Sequence, residues 1–177
     1  MKKGCIIFLL SFIITVTTLG FTGVFTQGQS VEQTQYFRIH NRADYNQKQA
    51  QSVKYLVRDE LVEYLTPIVA DCSSMEDAVQ RIQTRLDDMD KIAEKTLKEN
   101  GFSYGAAVRL KREVFPTRVY GEYTLPQGEY LALIVELGEG KGDNWWCVAY
   151  PPLCFTATQN IVYKSKILEI ISNWKNG

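Results

Sequence analysis

Few side chains in this chain are equipped for chemistry. Beyond the N-terminal leader they are Cys72, Cys147, Cys154 and a single histidine, His40. Cys147 and Cys154 fall within residues 144–155, "NWWCVAYPPLCF", which follow the run "GEGKGD" and concentrate two tryptophans, two cysteines and two prolines. One reading is a cysteine nucleophile: His40 approaches Cys147 in space, Asp143 or Asn144 orients the imidazole, and the thiol ionises at neutral pH. No cysteine-hydrolase signature surrounds Cys147. A second reading is a staple. In an oxidising compartment Cys147 and Cys154 can bridge if the chain reverses between them, and Pro151-Pro152 would stiffen that reversal. In a reducing setting both remain buried apolar thiols.

Other chemistries fit less well. No C-x-x-C or H-E-x-x-H pair is present, so no metal site is expected, and no cofactor motif appears. Gly138, Gly140 and Gly142 match neither a Walker loop nor a dinucleotide loop, which leaves a mobile or sharply bent loop leading into Asn144. The adjacent Trp145 and Trp146, if extended, point to opposite faces of a sheet, one inward and one outward. Tryptophan is enriched at interface hot spots, so the segment reads equally as core or as a recognition surface built from Trp145, Trp146, Tyr150, Pro151, Pro152 and Phe155.

Which reading holds depends on compartment, and the N-terminus bears on that. Lys2 and Lys3 precede residues 4–25, a stretch without charge and rich in isoleucine, leucine and phenylalanine. Such a run can enter a bilayer, with the lysines left on the cytoplasmic side. The expected plan is a signal peptide or signal anchor over residues 1–28, a linker over 29–35, and one extracytoplasmic domain over 36–177. The 177 residues suit one ordinary domain. Twenty basic against twenty acidic residues give no field to attract nucleic acid.

The elements that must position these residues are legible as patterns. Tyr36 to Ile39 reads as a strand. Ala50, Val53, Val57, Leu61, Tyr64 and Ile68 form one helical stripe, which Pro67 should end or bend. Ser73 and Glu76 have capping-box spacing before a second stripe, from Met75 through Ile82, Leu86 and Met89 to Leu97, and Gly101 suits its closure. Val108, Leu110 and Val114 alternate with charged residues as in a strand wet on one face. Two further strands flank Pro126-Gln127-Gly128 as a hairpin, and "YLALIVEL" is apolar enough to be central and covered on both sides. Ile167, Ile171 and Trp174 share a helical face, with a short strand over Ile161 to Tyr163 before it. The class expected is α+β, two amphipathic helices packed on a mostly antiparallel sheet.

The run "FPTRVYGEYTLPQGEYLALIVELGEGKGDNWWCVAYPPLCF", with "FRIHNRAD" and "QSVKYLVRDELVEYL" upstream, resembles the stage II sporulation protein R family of endospore-forming Firmicutes. The family pattern falls on His40, Arg42, Ala43, Lys54, Val57, Arg58, Asp59, Phe115, Pro116, Tyr120, Leu125, Pro126, Gly128, Tyr130 and residues 138–155. The chain departs from it after Ala43, at "DYNQKQ". The resemblance implies a non-enzymatic signal, made in the forespore and exported into the space between forespore and mother cell. There it would trigger a membrane-embedded aspartic protease that removes the pro-sequence of the mother cell's early sigma factor.

Overall fold

The computed structural model describes residues 35–155 and 161–176. The leader over 1–28 and the linker up to residue 34 lie outside the described residues. No helix among those described is long and apolar enough to cross a membrane.

The elements run β1 (Phe37–Arg42), α1 (Lys48–Ala70), α2 (Met75–Gln83), α3 (Leu86–Glu99), β2 (Ala106–Phe115), β3 (Arg118–Tyr120), β4 (Tyr123–Leu125), β5 (Gly128–Leu137), β6 (Asn144–Tyr150) and α4 (Ile161–Asn176). The class is α+β, with four helices where three were expected, the two amphipathic ones and a short C-terminal one. One sheet has the order β2-β5-β1-β6, antiparallel except for the β1–β5 pair, and β3 with β4 forms a separate ribbon.

The sheet has two dissimilar faces, because alternate side chains of a strand point opposite ways. Phe37 and Ile39 of β1, Leu133, Val135 and Leu137 of β5, and Cys147 and Ala149 of β6 meet Val53, Val57, Leu61 and Leu65 of α1 and Met89, Ala93 and Leu97 of α3 in the main core. The other face gathers Tyr36, Phe115, Tyr130, Ala132, Ile134 and Val148 under Leu125, Tyr120 and Tyr123 of the β3–β4 ribbon and Trp174 of α4. β5 is therefore central and covered on both sides, as its unbroken apolar run predicts.

Several expectations are corrected. The second helical stripe belongs to two helices: the Thr84 hydroxyl donates to the Arg81 carbonyl at 2.9 Å, a local bond that competes with the helical ladder where α2 stops. The cap is one residue later than read, with Ser74 Oγ accepting from the Asp77 amide at 3.2 Å while the Asp77 carboxylate takes the Ser73 amide at 3.1 Å. α1 continues through Pro67 to Ala70. Pro126-Gln127-Gly128 joins β4 to β5 without pairing them. β4 folds back on β3 through Gly121, at φ +60°, while β5 takes a ten-residue ladder with β2, more than three-residue β4 can offer. Ile161 to Tyr163 is the start of α4, not a strand. Gly101, at φ +82°, does close α3, with the Phe102 amide returning to the Leu97 carbonyl at 3.0 Å.

Candidate functional site

The "GEGKGD" run is a bend pinned at several points. Gly138 and Gly140 take φ of +56° and +61°, the left-handed region that favours glycine. Asp44 Oδ1 accepts from the Glu139 amide at 2.7 Å, and Asn46 Oδ1 from the Asp143 amide at 2.6 Å. The Gly142 and Lys141 amides donate to the carbonyls of Ala43 and Asp44. Lys54, buried on α1, donates to the Asp143 carbonyl at 3.0 Å and to Gln51 Oε1 at 2.7 Å. Burial lowers its pKa, with Asp143 opposing. "DYNQKQ", where the chain leaves the family pattern, thus supplies two of the loop's anchors.

That loop delivers β6 to the edge of the sheet beside β1, with His40 opposite Trp146 and Ile39 opposite Cys147. On the face away from the helices, His40 is 2% exposed and stacks on Trp146, ring centroids 3.6 Å apart. Its Nδ1 lies 2.9 Å from Glu113 Oε2 and its Nε2 2.8 Å from Asn144 Oδ1. A carboxylate only accepts, so Nδ1 carries the hydrogen. Burial is the largest influence on His40 and lowers its pKa; the bonds to Glu113 and Asn144 oppose it. Arg42 bridges Glu113 and Glu136, and Arg109 also pairs with Glu136.

Below this row lies Arg38, fully buried, its guanidinium 4.3 Å from the Phe115 ring centre and 4.9 Å from that of Tyr130. It donates to the Tyr120 hydroxyl at 2.7 Å, tying the ribbon to the sheet. Arg38, Glu113 and Glu136 were not singled out from sequence. The signal was there: Arg38, His40 and Arg42 step by two along a strand, which puts three basic side chains on one face.

Cys147 is on the opposite, helix-facing side and is joined to Cys154 in a disulfide, with Cα atoms 6.1 Å apart. The pairing of Cys147 with His40 is therefore not formed, and the expectation of a thiol–imidazole couple is corrected by strand alternation. Cys72 is a buried thiol whose pKa burial pushes up to about 11. It donates to the Ile68 carbonyl, the setting of an inert packing cysteine. No group of three or more histidine, cysteine or acidic side chains placed to hold a metal occurs among the described residues.

The proposed contact residues divide. Tyr150, Pro151, Pro152 and Phe155 are buried, so as direct contacts they are corrected to interior packing. Trp145 and Trp146 are both half-buried, one on each face of β6, in place of one inside and one outside. Each has an arginine over its ring: Arg58 of α1 5.4 Å from Trp145, and Arg118 of β3 5.8 Å from Trp146. Tyr55, 43% exposed, completes the first group, 4.8 Å from Arg58.

The family model described as Stage II sporulation protein R (spore_II_R) matches residues 33–160. The chain belongs to the stage II sporulation protein R family. It is 36% identical over 126 residues to stage II sporulation protein R of Bacillus subtilis (strain 168), covering 71% of this chain. The chain spans 56% of that relative's length. No solved structure shows significant similarity. In this member of the stage II sporulation protein R family, the matched region takes in the pinned loop, the His40–Trp146 stack and the Cys147–Cys154 bridge together.

Proposed function

We propose that this family member is an exported sporulation signal, acting from the space between forespore and mother cell. It activates a membrane-embedded aspartic protease of the mother cell, which then processes the pro-form of the early sigma factor. Family membership supports the sporulation role. The charge-free run over residues 4–25 supports export.

The single observation carrying the contact surface is the pair Trp145 and Trp146 on edge strand β6, each accompanied by an arginine. Tryptophan, tyrosine and arginine are the residue types most enriched at interface hot spots. The loop anchors, the disulfide and the histidine stack hold this surface in one shape before a partner arrives, which lowers the ordering cost of binding. Activation is then a shift of the protease toward its competent state, driven by tighter binding to that state.

The test is a sporulation-independent host that makes the protease and the sigma-factor precursor. Processing is expected when this chain is exported across the membrane, and not when its leader is deleted. Equal processing by the chain confined to the cytoplasm would contradict the reading.

A further inference from the structure

β2 is an edge strand ten residues long. Strand alternation and one contact establish which of its backbone groups face outward. The Val108 amide donates to the Asp90 carboxylate of α3 at 2.6 Å, so it is turned away from β5. In an antiparallel pair the residues that bond the neighbour alternate with those that do not. Leu110, Arg112 and Val114 therefore turn their N–H and C=O groups outward too, and among the described residues nothing bonds them. Asp90 caps the Val108 amide, and an uncapped edge follows from Leu110 onward.

The side chains along that edge carry a pattern. Arg109, Lys111 and Arg112 are exposed, and Val114 is 62% exposed. Arg109 is already paired with Glu136 of β5, Arg112 has only Glu129 at 3.9 Å, both of them well exposed, and Lys111 has no ion pair among the described residues. Glu113, the one acid of the stretch, is taken up by His40 and Arg42. The edge is thus basic, with apolar positions at Leu110 and Val114. In a second copy, two-fold antiparallel registers centred on Lys111 or Arg112 would set that cation against its own copy, whereas an acidic strand meets no such repulsion.

We infer that the β2 edge is a docking surface for an extended acidic segment of another protein, which adds to the sheet as a fifth strand beside Leu110, Arg112 and Val114. Backbone bonds supply the attachment and alternate side chains the selection, the general mode of strand addition. Carboxylates opposite Arg109, Lys111 and Arg112, with apolar residues opposite Leu110 and Val114, complete the match. This surface lies at the opposite edge of the sheet from Trp145 and Trp146 and does not rest on the protease reading.

The probe is the capped peptide Val-Thr-Glu-Glu-Val-Glu, which in antiparallel register opposes residues 114 down to 109, and the readout is amide hydrogen exchange of the full chain. The amides of Leu110, Arg112 and Val114 should exchange freely alone and slow at least about tenfold with saturating peptide, the equivalent of about 1.4 kcal/mol. Val108, held by Asp90, should change little. The version with lysine in place of glutamate should protect nothing. Val114→Pro removes only an outward amide and is compatible with an edge strand, so the folded variant should lose the protection. The proposal is overturned if the acidic peptide slows none of the three amides, if the lysine peptide protects them equally, or if they are already protected in a concentration-dependent dimer.

Discussion

His40 lies flat against Trp146, with ring centroids 3.6 Å apart and planes 18° from parallel. The stack ties β1 to the residue that carries half of the proposed contact surface, and it does so with a histidine kept from water.

Burial lowers the His40 pKa from 6.5 in the folded chain. Below pH 6.5 the unfolded chain therefore binds a proton that the folded chain resists, so stability falls as pH drops from there through the lowered folded value. Denaturant midpoints measured from about pH 8 down to about pH 5 should show that decline, and His40→Gln should flatten it. Parallel pH profiles for the two proteins would show that the imidazole is not the group responsible.

The disulfide closes a loop spanning seven positions. Its loss should lower stability by about 2–3 kcal/mol through the freed unfolded chain. Cys147→Ser and Cys154→Ser should be affected alike in melting temperature and in sigma-factor processing, and a reductant should bring the wild type to the same level. Loss of processing in the first variant alone would point to a thiol function.

Gly142 packs so closely that a Cβ there would sit 2.6 Å from the Tyr45 carbonyl oxygen, whereas one on Gly121 would meet nothing within 4 Å. Gly121→Ala should cost about 1 kcal/mol from its positive φ alone. Gly142→Ala must displace backbone, and should cost more, about 2–3 kcal/mol, by thermal or urea unfolding. The reverse order would mean that the loop is not held against residues 43–46.

Much of this arrangement was legible in the sequence because local periodicity wrote it. The α1 stripe, the apolar β5 run and the closure at Gly101 need only spacing and one residue type each. What spacing does not carry is which strand pairs with which: β2 and β5 are joined across an inserted ribbon, so the Pro126-Gln127-Gly128 turn read as a hairpin on local grounds. The site was legible in membership but not in exposure. Residues 144–155 were marked by composition, yet only the fold tells that Tyr150, Pro151, Pro152 and Phe155 point inward. Arg38 and Glu113 were missed because their partners lie on other strands, Tyr120 on β3 and His40 on β1.

The contact surface on β6 is the central claim, and the double variant Trp145→Ala with Trp146→Ala tests it most directly. Each side chain is half-buried, so a stability loss of about 2–3 kcal/mol is expected. Trp145→Ala alone, which leaves the His40 stack intact, guards against simple unfolding. The readout is processing of the sigma-factor precursor by the protease when each variant is exported and shown to be folded. The expected result is little or no processing with the double variant and a marked drop with Trp145→Ala; wild-type processing by the folded double variant would contradict the account.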